Sequence, residues 1–558
     1  NIVDFLCLCR NEDIMSNFFS KTNQDISLVF KKKSTLNKKQ LIRRHRGHIA
    51  LFGLFLVLVQ LIATLLFSYE VLKLNILPLN YLIGLFVILG LLVLYDFTSQ
   101  FNKAHGIGKF LAIFLTVVMT FGFFAGDKVN ATFNKINGNT VTTSDVIDIV
   151  VLADDKAESI KDTVGYTYGY NDNIEGSLIK KAIDKIQTDN SCTLASKGYN
   201  NWQELINKLY DNNEVKVIAV SSGIKSSLNE DYDGFNEKTK VIDSVRITKQ
   251  VTVSKGNIVA KNAPFVVYIS GSDSYGSIAD KGRSDVNLLA VINPETRQVL
   301  LLSTPRDYRI TISRVLGDGT VVSGKDKLTH AGNSGIEYSM KALTDLYGIN
   351  IDYYYKINFT GCVNVINALG GITINSSVAF TNGWEASENT YHFVAGPNEC
   401  DGEKTLAFVR ERKAFSDGDM QRGRNQEAAI TGMIEKATSP SILANYSSVL
   451  DAVGDMVLTN MPTEVITNLI KGQLSNSTPW NVQSYSVGAK SSGSMYCELY
   501  GSYASCLAPD YDDINTAIKL VNKIENDEIF DVDEFVESCK QENSSSTTST
   551  TSTTKAAK

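Results

Sequence analysis

Three apolar runs stand out in the first quarter of the chain, at about Ile49–Tyr69, Ile76–Tyr95 and Phe110–Gly126, and none contains Asp, Glu, Lys or Arg. A helix needs ~20 apolar residues to cross a bilayer, with ~17 as a lower limit. Each run meets that, and the links between them are short. A buried helical hairpin of a soluble domain would not be expected to repeat three times in succession. The first run also begins too far from the N-terminus for a cleavable signal peptide. Residues 49–126 are therefore predicted to form three transmembrane helices.

After Gly126 the pattern changes to short apolar runs alternating with helical periodicity. DVIDIVVLA, SLIKKAIDKI, NWQELINKLY and VKVIAVSSG follow one another, so residues 127–255 read as a small α/β accessory domain with nothing catalytic in it. A larger α/β domain is predicted over 256–528. PFVVYISG is a buried strand, and NLLAVINPETRQVLLLSTP is two strands joined at NPET. GIEYSMKALTDLYG is a helix stopping at Gly348. YYYKINFT and ITINSSVAF are strand-like, GCVNVINALGG and DGEKTLAFVRER helix-like, and further helices are expected to about Ile524. The alternation predicts a mixed central sheet flanked by helices. Residues 529–558, ending SSSTTSTTSTTKAAK, read as a disordered spacer.

The 558 residues carry a formal net charge of −6, so no global basic field advertises nucleic acid. The basic residues are unevenly placed. Lys31, Lys32, Lys33, Lys38, Lys39, Arg43, Arg44 and Arg46 crowd the stretch before the first apolar run. Beside a membrane span such a cluster marks the cytoplasmic side. Lys103, His105 and Lys109 between runs two and three agree. Residues 1–48 are then a cytoplasmic basic tail in a multi-pass cell-membrane protein, and everything after Gly126 is extracellular. Met15 opens MSNFFSK, which reads as a translation start, so residues 1–14 are set aside, with Cys7 and Cys9 given no role. Six cysteines fall on the outer side, without zinc-site spacing. Of these, Cys497 and Cys506 are close enough for a small loop disulfide.

Two carboxylates, Asp273 and Asp285, flank the loop between two strands. Brought together they would repel unless a cation lay between them, which points to a divalent ion. Arg283, Arg306, Arg410, Arg412 and Arg422 form a second set, suited to an anion of high charge such as a pyrophosphate. Arg410 and Arg412 project to one side only from an extended backbone, so the helix before them is expected to end first. Gln426 is placed to hydrogen-bond a phosphate or an acceptor hydroxyl. His330, in KLTHAG, reads at least as well as a structural hydrogen-bonding group.

The order Gly271-Ser272-Asp273, Gly282-Arg283-Ser284-Asp285, Ser303-Thr304-Pro305-Arg306-Asp307, Phe408-Val409-Arg410-Glu411-Arg412 and Asp419-Met420-Gln421-Arg422-Gly423-Arg424-Asn425-Gln426 resembles the LytR–CpsA–Psr family over about residues 263–440. The three-span anchor with an accessory domain is similar to one subclass of it. Asn425 stands where many members have a further arginine, which leaves Arg424 and Asn425 open as ligands.

The resemblance implies a phosphotransferase of a Gram-positive-type envelope. It would move a glycopolymer (capsular polysaccharide, teichoic acid or similar) from a polyprenyl pyrophosphate carrier to a peptidoglycan hydroxyl. It further implies Mg²⁺, with Mn²⁺ as an alternative, on Asp273 and Asp285. Arg283, Arg306, Arg410, Arg412, Arg422 and Gln426 would hold the head group, and the lipid tail would lie in an apolar pocket. Asp273, Asp285, Arg306 and Asp419 would make up the catalytic set, with Asp419 or Asp307 as base or supporting residue. Three other readings use the same sequence: a polyprenyl-pyrophosphate hydrolase, a membrane-bound transcriptional attenuator, and a glycan-binding scaffold. The basic tail is short and has no helix-turn-helix pattern, and an intact Asp/Arg set argues against a scaffold.

Overall fold

The structure, a computed structural model, describes residues 12–136, 140–211, 214–252, 256–260, 262–272, 277–383, 386–439, 449, 452, 454 and 456–541. Two compact units emerge. One contains the chain through residue 133 together with 467–477, and the other contains the remainder.

The first unit is helical: α1 (Glu12–Val29), α2 (Lys38–Leu74), α3 (Leu79–Ser99) and α4 (His105–Ile136). The last three are long and apolar enough to cross a membrane, as the apolar runs predict. Large side chains such as Phe55, Leu65, Val87 and Phe121 lie exposed on them, while Ala63, Leu89, Leu115 and Met119 pack inward. Helix α2 reaches back through Lys38–Gly47, where Asn37 and Gln40 form a capping box. The second span starts at Leu79 rather than Ile76 because Pro78 sits extended at its N-cap.

The second unit starts with a five-stranded sheet. Its elements are β1 (Thr140–Leu152), β2 (Thr167–Asn171), α5 (Asp172–Asn190), β3 (Ala195–Tyr199), α6 (Trp202–Tyr210), β4 (Val217–Ser221), α7 (Ser222–Asp231) and β5 (Thr239–Thr252), with strand order β3-β2-β4-β1-β5. The accessory sheet thus begins at Thr140, because α4 runs on past residue 127. Alternation along β1 sends Ile147, Ile149 and Val151 into one core and Val150 into the other. The second core also contains Trp202, Leu205 and Leu228, and it is completed by Cys497, Tyr500, Ala504 and Cys506 from far downstream.

Next comes a six-stranded mixed sheet. Its first strands are β6 (Phe265–Ser272), β7 (Ser284–Asn293) and β8 (Gln298–Ser303), followed by the hairpin β9 (Arg309–Val315) and β10 (Val321–Lys327). Helix α8 (Ile336–Tyr347) ends on Gly348 at φ 68°, the left-handed cap glycine adopts without penalty. Then follow β11 (Tyr353–Asn358), α9 (Phe359–Ala368), β12 (Ile372–Ser376), β13 (Phe380–Thr381), β14 (His392–Phe393), β15 (Gly396–Cys400), α10 (Gly402–Arg410) and α11 (Asp419–Thr438). The chain finishes with β16 (Val457–Thr459), β17 (Asn481–Ser486), the hairpin β18 (Ala489–Cys497) and β19 (Ser502–Pro509), and α12 (Tyr511–Glu525).

The central order is β16-β11-β6-β7-β8-β17. Strands β6 and β11 run parallel, as do β8 and β17, and β7 is antiparallel to both its neighbours. Val266, Tyr268, Leu289, Val291, Leu300 and Leu302 form the main core with α8 and α12. The NPET turn joins β7 and β8 as expected, with Asn293 opposite Gln298.

Two expectations fail. Residues 481–486, 489–497 and 502–509 are strands, not helices, because their Ser and Gly residues are poor helix formers while Val482, Tyr485, Tyr496 and Tyr503 suit a strand. The disordered tail does not begin at 529. Residues 532–541 are helical, Val532 and Cys539 are buried, and Phe530, Phe535 and Val536 pack on the main core. Among the further helices expected before Ile524, the one read from NYSSVLDAVGDMV lies largely outside the described residues, and the Ser/Thr-rich stretch after 541 lies wholly outside them.

Candidate active site

The sequence around Ser284 sets up the site. Ser284 Oγ shares hydrogen bonds with Ser270 Oγ (2.7 Å) and Tyr268 OH (2.8 Å), and Tyr268 OH donates to Asn287 Oδ1 (2.7 Å). All four residues are buried, and a satisfied buried network fixes the backbone that carries it. With Ser284 held inside the sheet, its neighbours Arg283 and Asp285 project the other way. Ser272 pairs with Ser284 across a bulge at Gly271. A Cβ on Gly271 would lie 2.5 Å from Val286 Cγ2, so only glycine fits where β6 ends.

Arg306 follows β8. Thr304 N donates to Asn287 O and Thr329 N to Arg306 O, both at 2.9 Å, so the segment is tied on each side. Asp285 Oδ1 accepts from Arg306 Nη1 (2.9 Å) and Thr329 Oγ1 (3.0 Å), while its other oxygen lies 3.9 Å from Arg283 Nη2. A further carboxylate joins them. Glu230, on α7 of the accessory sheet, is 3.0 Å from Arg283 Nη1 and 3.1 Å from Arg306 Nη2. Burial alone would raise the Asp285 pKa, but Arg306, Arg283 and Arg422 outweigh it and hold the carboxyl well below its usual range. Glu230 follows the same balance, with burial outweighed by Arg283 and Arg306.

Helix α10 starts on the N-cap Asp401, which accepts from Lys404 N, and it ends at Arg410. Glu411 is extended (φ −64°, ψ 133°), so the helix stops at Arg410 rather than before it. The Glu411 carboxylate accepts from Arg412 N and Ala414 N (2.9 Å each) and Gly383 N (2.5 Å), which locks the turn. Arg410 Nη1 donates to Ala386 O (2.9 Å), and its guanidinium lies 4.6 Å from the Phe359 ring centroid. Gln426 and Arg422 come from α11, which hydrogen-bonds α10 through Asn425 Nδ2 to Phe408 O (3.2 Å).

These side chains line one cavity of about 370 Å³, where β6 and β11 end and β7 begins. Arg283, Asp285, Arg306, Arg410, Arg412, Arg422 and Gln426 all face it. Its apolar wall includes Val286, Ile357, Phe359, Leu406 and Val409. Among the described residues, six basic and three acidic side chains line it, so the cavity favours an anion. Its mix of guanidinium groups and apolar surface suits a ligand that is ionic at one end and greasy at the other.

Asp273 lies outside the described residues, as does the Asp419 side chain. Asp307 does not line the cavity; it lies 3.5 Å from Lys327 Nζ and 3.7 Å from Arg306 Nε. Arg424 pairs with Asp417 and Gln421, away from the cavity, and Asn425 is spent on the backbone of α10, so neither is a cavity residue. His330 bonds Asp326 through Nδ1 (2.7 Å) and Ser227 Oγ through Nε2 (3.0 Å), the structural part expected of it. Cys497 and Cys506 face each other with Sγ atoms 3.5 Å apart. No group of three or more His, Cys, Asp or Glu that could hold a metal occurs among the described residues.

Sequence reasoning missed Glu230 and Glu411. Glu411 sits inside FVRER and is detectable as a turn cap. Glu230 sits within a polar run, LNEDYD, that reads like any solvated helix end, and nothing local marks it.

The LytR_cpsA_psr family model matches residues 223–518. The polyisoprenyl-teichoic acid–peptidoglycan teichoic acid transferase TagU of Bacillus anthracis is 30% identical over 256 residues, spanning 46% of this chain and 79% of that protein. TagU of Bacillus subtilis (strain 168) is 32% identical over 233 residues, spanning 42% and 67%. The crystal structure of B. subtilis TagV is 23% identical with a TM-score of 0.40, covering 48% of this chain and 99% of that one. The family match takes in more than half of the chain and every cavity residue named above, and the chain belongs to the LytR_cpsA_psr family.

Proposed function

We propose that this protein transfers a glycopolymer from a polyprenyl pyrophosphate carrier to peptidoglycan on the outer face of the cell membrane. The observation that carries the reading is the single cavity in which Arg410, Arg412, Arg422 and Gln426 meet the Arg283–Asp285–Arg306 cluster beside an apolar wall. The teichoic acid transferase activity for which the TagU relatives are named supports a teichoic acid-type polymer. The basic residues before the first span favour an external catalytic domain.

In this reading the pyrophosphate lies against Arg410, Arg412 and Arg422, which offset its charge and the charge that builds on the leaving phosphate. Gln426 orients a phosphate oxygen or the acceptor hydroxyl. The first isoprene units rest on Phe359, Leu406 and Val409. The acceptor oxygen attacks the phosphorus bearing the glycopolymer, a phosphodiester forms, the bond to the bridging oxygen breaks, and polyprenyl phosphate leaves. Mg²⁺ or Mn²⁺ suits one or two carboxylates completed by phosphate oxygens. Asp285, which already lines the cavity, and Asp273 would hold the ion, which when bound neutralises phosphate charge.

The test uses the full chain in detergent micelles with a short-chain polyprenyl pyrophosphate disaccharide, Mg²⁺ and peptidoglycan fragments, with polyprenyl monophosphate followed by mass spectrometry. Release that requires the fragments and is lost in Arg410→Ala is the expected result. Release without fragments makes the enzyme a hydrolase, and no release despite bound lipid removes the enzymatic reading.

A further inference from the structure

We propose that Glu230, on the α7 helix that packs on the accessory sheet at the start of the family match, is a positioning residue for the transfer reaction. Its carboxylate spans Arg283 and Arg306 and fixes both guanidinium groups at the head-group cavity. The inference rests on the function proposed above.

Both arginines are nearly inaccessible, with side chains 4% exposed. Two buried cations this close repel, and each is costly to bury without a counter-charge. Asp285 serves Arg306 well at 2.9 Å but reaches Arg283 only at 3.9 Å. Glu230 supplies the second negative charge and bridges the pair at 3.0 and 3.1 Å, one oxygen to each. A guanidinium presents five N–H donors in a rigid fork, so an arginine tied along one edge keeps donors for a phosphate in a fixed direction.

The bridge is held from behind. Ser227, one turn before Glu230 on α7, bonds His330 Nε2 at 3.0 Å. His330 in turn bonds Asp326, which accepts from the backbone N–H groups of Leu499 (2.9 Å) and Tyr500 (2.7 Å). The accessory sheet also grips the loop leading into Arg283. Ser144 N donates to Ala279 O (3.3 Å), and Lys281 N donates to Ser144 O (2.9 Å). Arg246 pairs with Asp280 at 3.0 Å and Lys281 with Asp145 at 3.1 Å. Arg283 is thus braced through the loop before it by β1 and β5 and through its side chain by Glu230 of α7. The accessory sheet completes the active site rather than merely standing beside it.

The experiment compares the full-length parent, Glu230→Gln and Glu230→Asp in the micellar transfer assay, recording kcat, KM for the polyprenyl pyrophosphate disaccharide, and the melting midpoint. Glu230→Gln keeps the shape and removes the charge. It should lower kcat roughly 10–100-fold, the scale of a misplaced reacting group, while KM for the donor changes by less than about 3-fold. Glu230→Asp, with a charge that reaches one arginine, should recover part of kcat. If Glu230→Gln fails to fold, Glu230→Asp carries the test through its lowered kcat at near-parental KM. A melting midpoint that falls while kcat per folded molecule stays at the parental value makes Glu230 an interface residue only and overturns the proposal. A rise in kcat/KM makes it a plug in the anion site and overturns it equally. An inactive parent sinks the proposed function and this inference with it, whereas an active parent beside an unchanged Glu230→Gln sinks this inference alone.

Discussion

Asp285→Asn removes one negative charge from the cavity while nearly preserving its shape. The variant loses the charge-assisted bond from Arg306 Nη1 and weakens the one from Thr329 Oγ1. A hydrogen bond to a charged group contributes ~1.5–3 kcal/mol. Breaking a buried ion pair from one side costs ~3–5 kcal/mol, because the abandoned charge stays buried. The second figure governs here, since Arg283 and Arg306 are each only 4% exposed and both lose a neighbouring carboxylate charge. At ~2–4 °C per kcal/mol, the midpoint of thermal unfolding should fall by roughly 6–20 °C.

Tryptophan fluorescence of the full chain in micelles would follow this. Trp202 is fully buried, with its indole N–H donating to Tyr500 O at 3.0 Å. The pH dependence has a definite sign. The folded-state pKa of Asp285 is depressed because Arg306, Arg283 and Arg422 outweigh burial, so its contribution is complete above the unfolded value of about 3.9 and drains away as pH falls below that. The parent should therefore lose stability more steeply than Asp285→Asn in acid. A variant that melts within about 2 °C of the parent, with the same acid profile, would refute a formed Asp285–Arg306 pair.

Other outcomes follow from single features. Gly271→Ala should destabilise by ~1–3 kcal/mol, read from the melting midpoint, because its Cβ would crowd Val286 where β6 bulges. Burial pushes the Glu427 pKa up to about 7 despite bonds from Ser486 and Ser484, so folding stability declines as pH rises from about 4 to 7; Glu427→Gln should be more stable than the parent at pH 8, by up to ~3 kcal/mol, and nearly equal to it at pH 4. Chelation with EDTA should abolish polyprenyl monophosphate release, and added Mg²⁺ or Mn²⁺ should restore it; release that ignores chelator removes the metal from the proposed mechanism. Protein isolated from membranes without reductant should resist alkylation at Cys497 and Cys506 until reduced, since the two thiols already face each other at 3.5 Å across the β18–β19 hairpin.

The parts of the molecule legible in the sequence are those whose signal is local. Apolar runs without charge give the three membrane-length helices. The NPET turn and the cap at Gly348 register strand and helix ends correctly, because a turn or a cap is decided within a few residues. The arginine motifs converge on one cavity because each sits where an element ends, and ends of neighbouring strands gather along one sheet edge. What stayed hidden depends on distance along the chain. β17, at 481–486, completes the sheet beside β8, at 298–303, and its half-exposed, Ser-rich sequence carries no strong period. Glu230 is charged and near a helix end, like dozens of surface residues, and only the packing of two sheets against each other turns it toward Arg283. The helical segment after 529 was lost for a related reason: its few apolar residues matter only because the main core has a face for them.

The accessory sheet has a consequence for inheritance and synthesis. One of its two cores is sealed by Cys497, Tyr500, Ala504 and Cys506, and Tyr500 meets Trp202 from 298 residues further along the chain. Until the ribosome has made that hairpin, Trp202, Leu205 and Leu228 have no lid, and the first folded-looking region to emerge must wait for nearly the last. A recombination event that swapped one region for a relative's would pair a core with a foreign lid, so the two should be passed on together, as a single cassette.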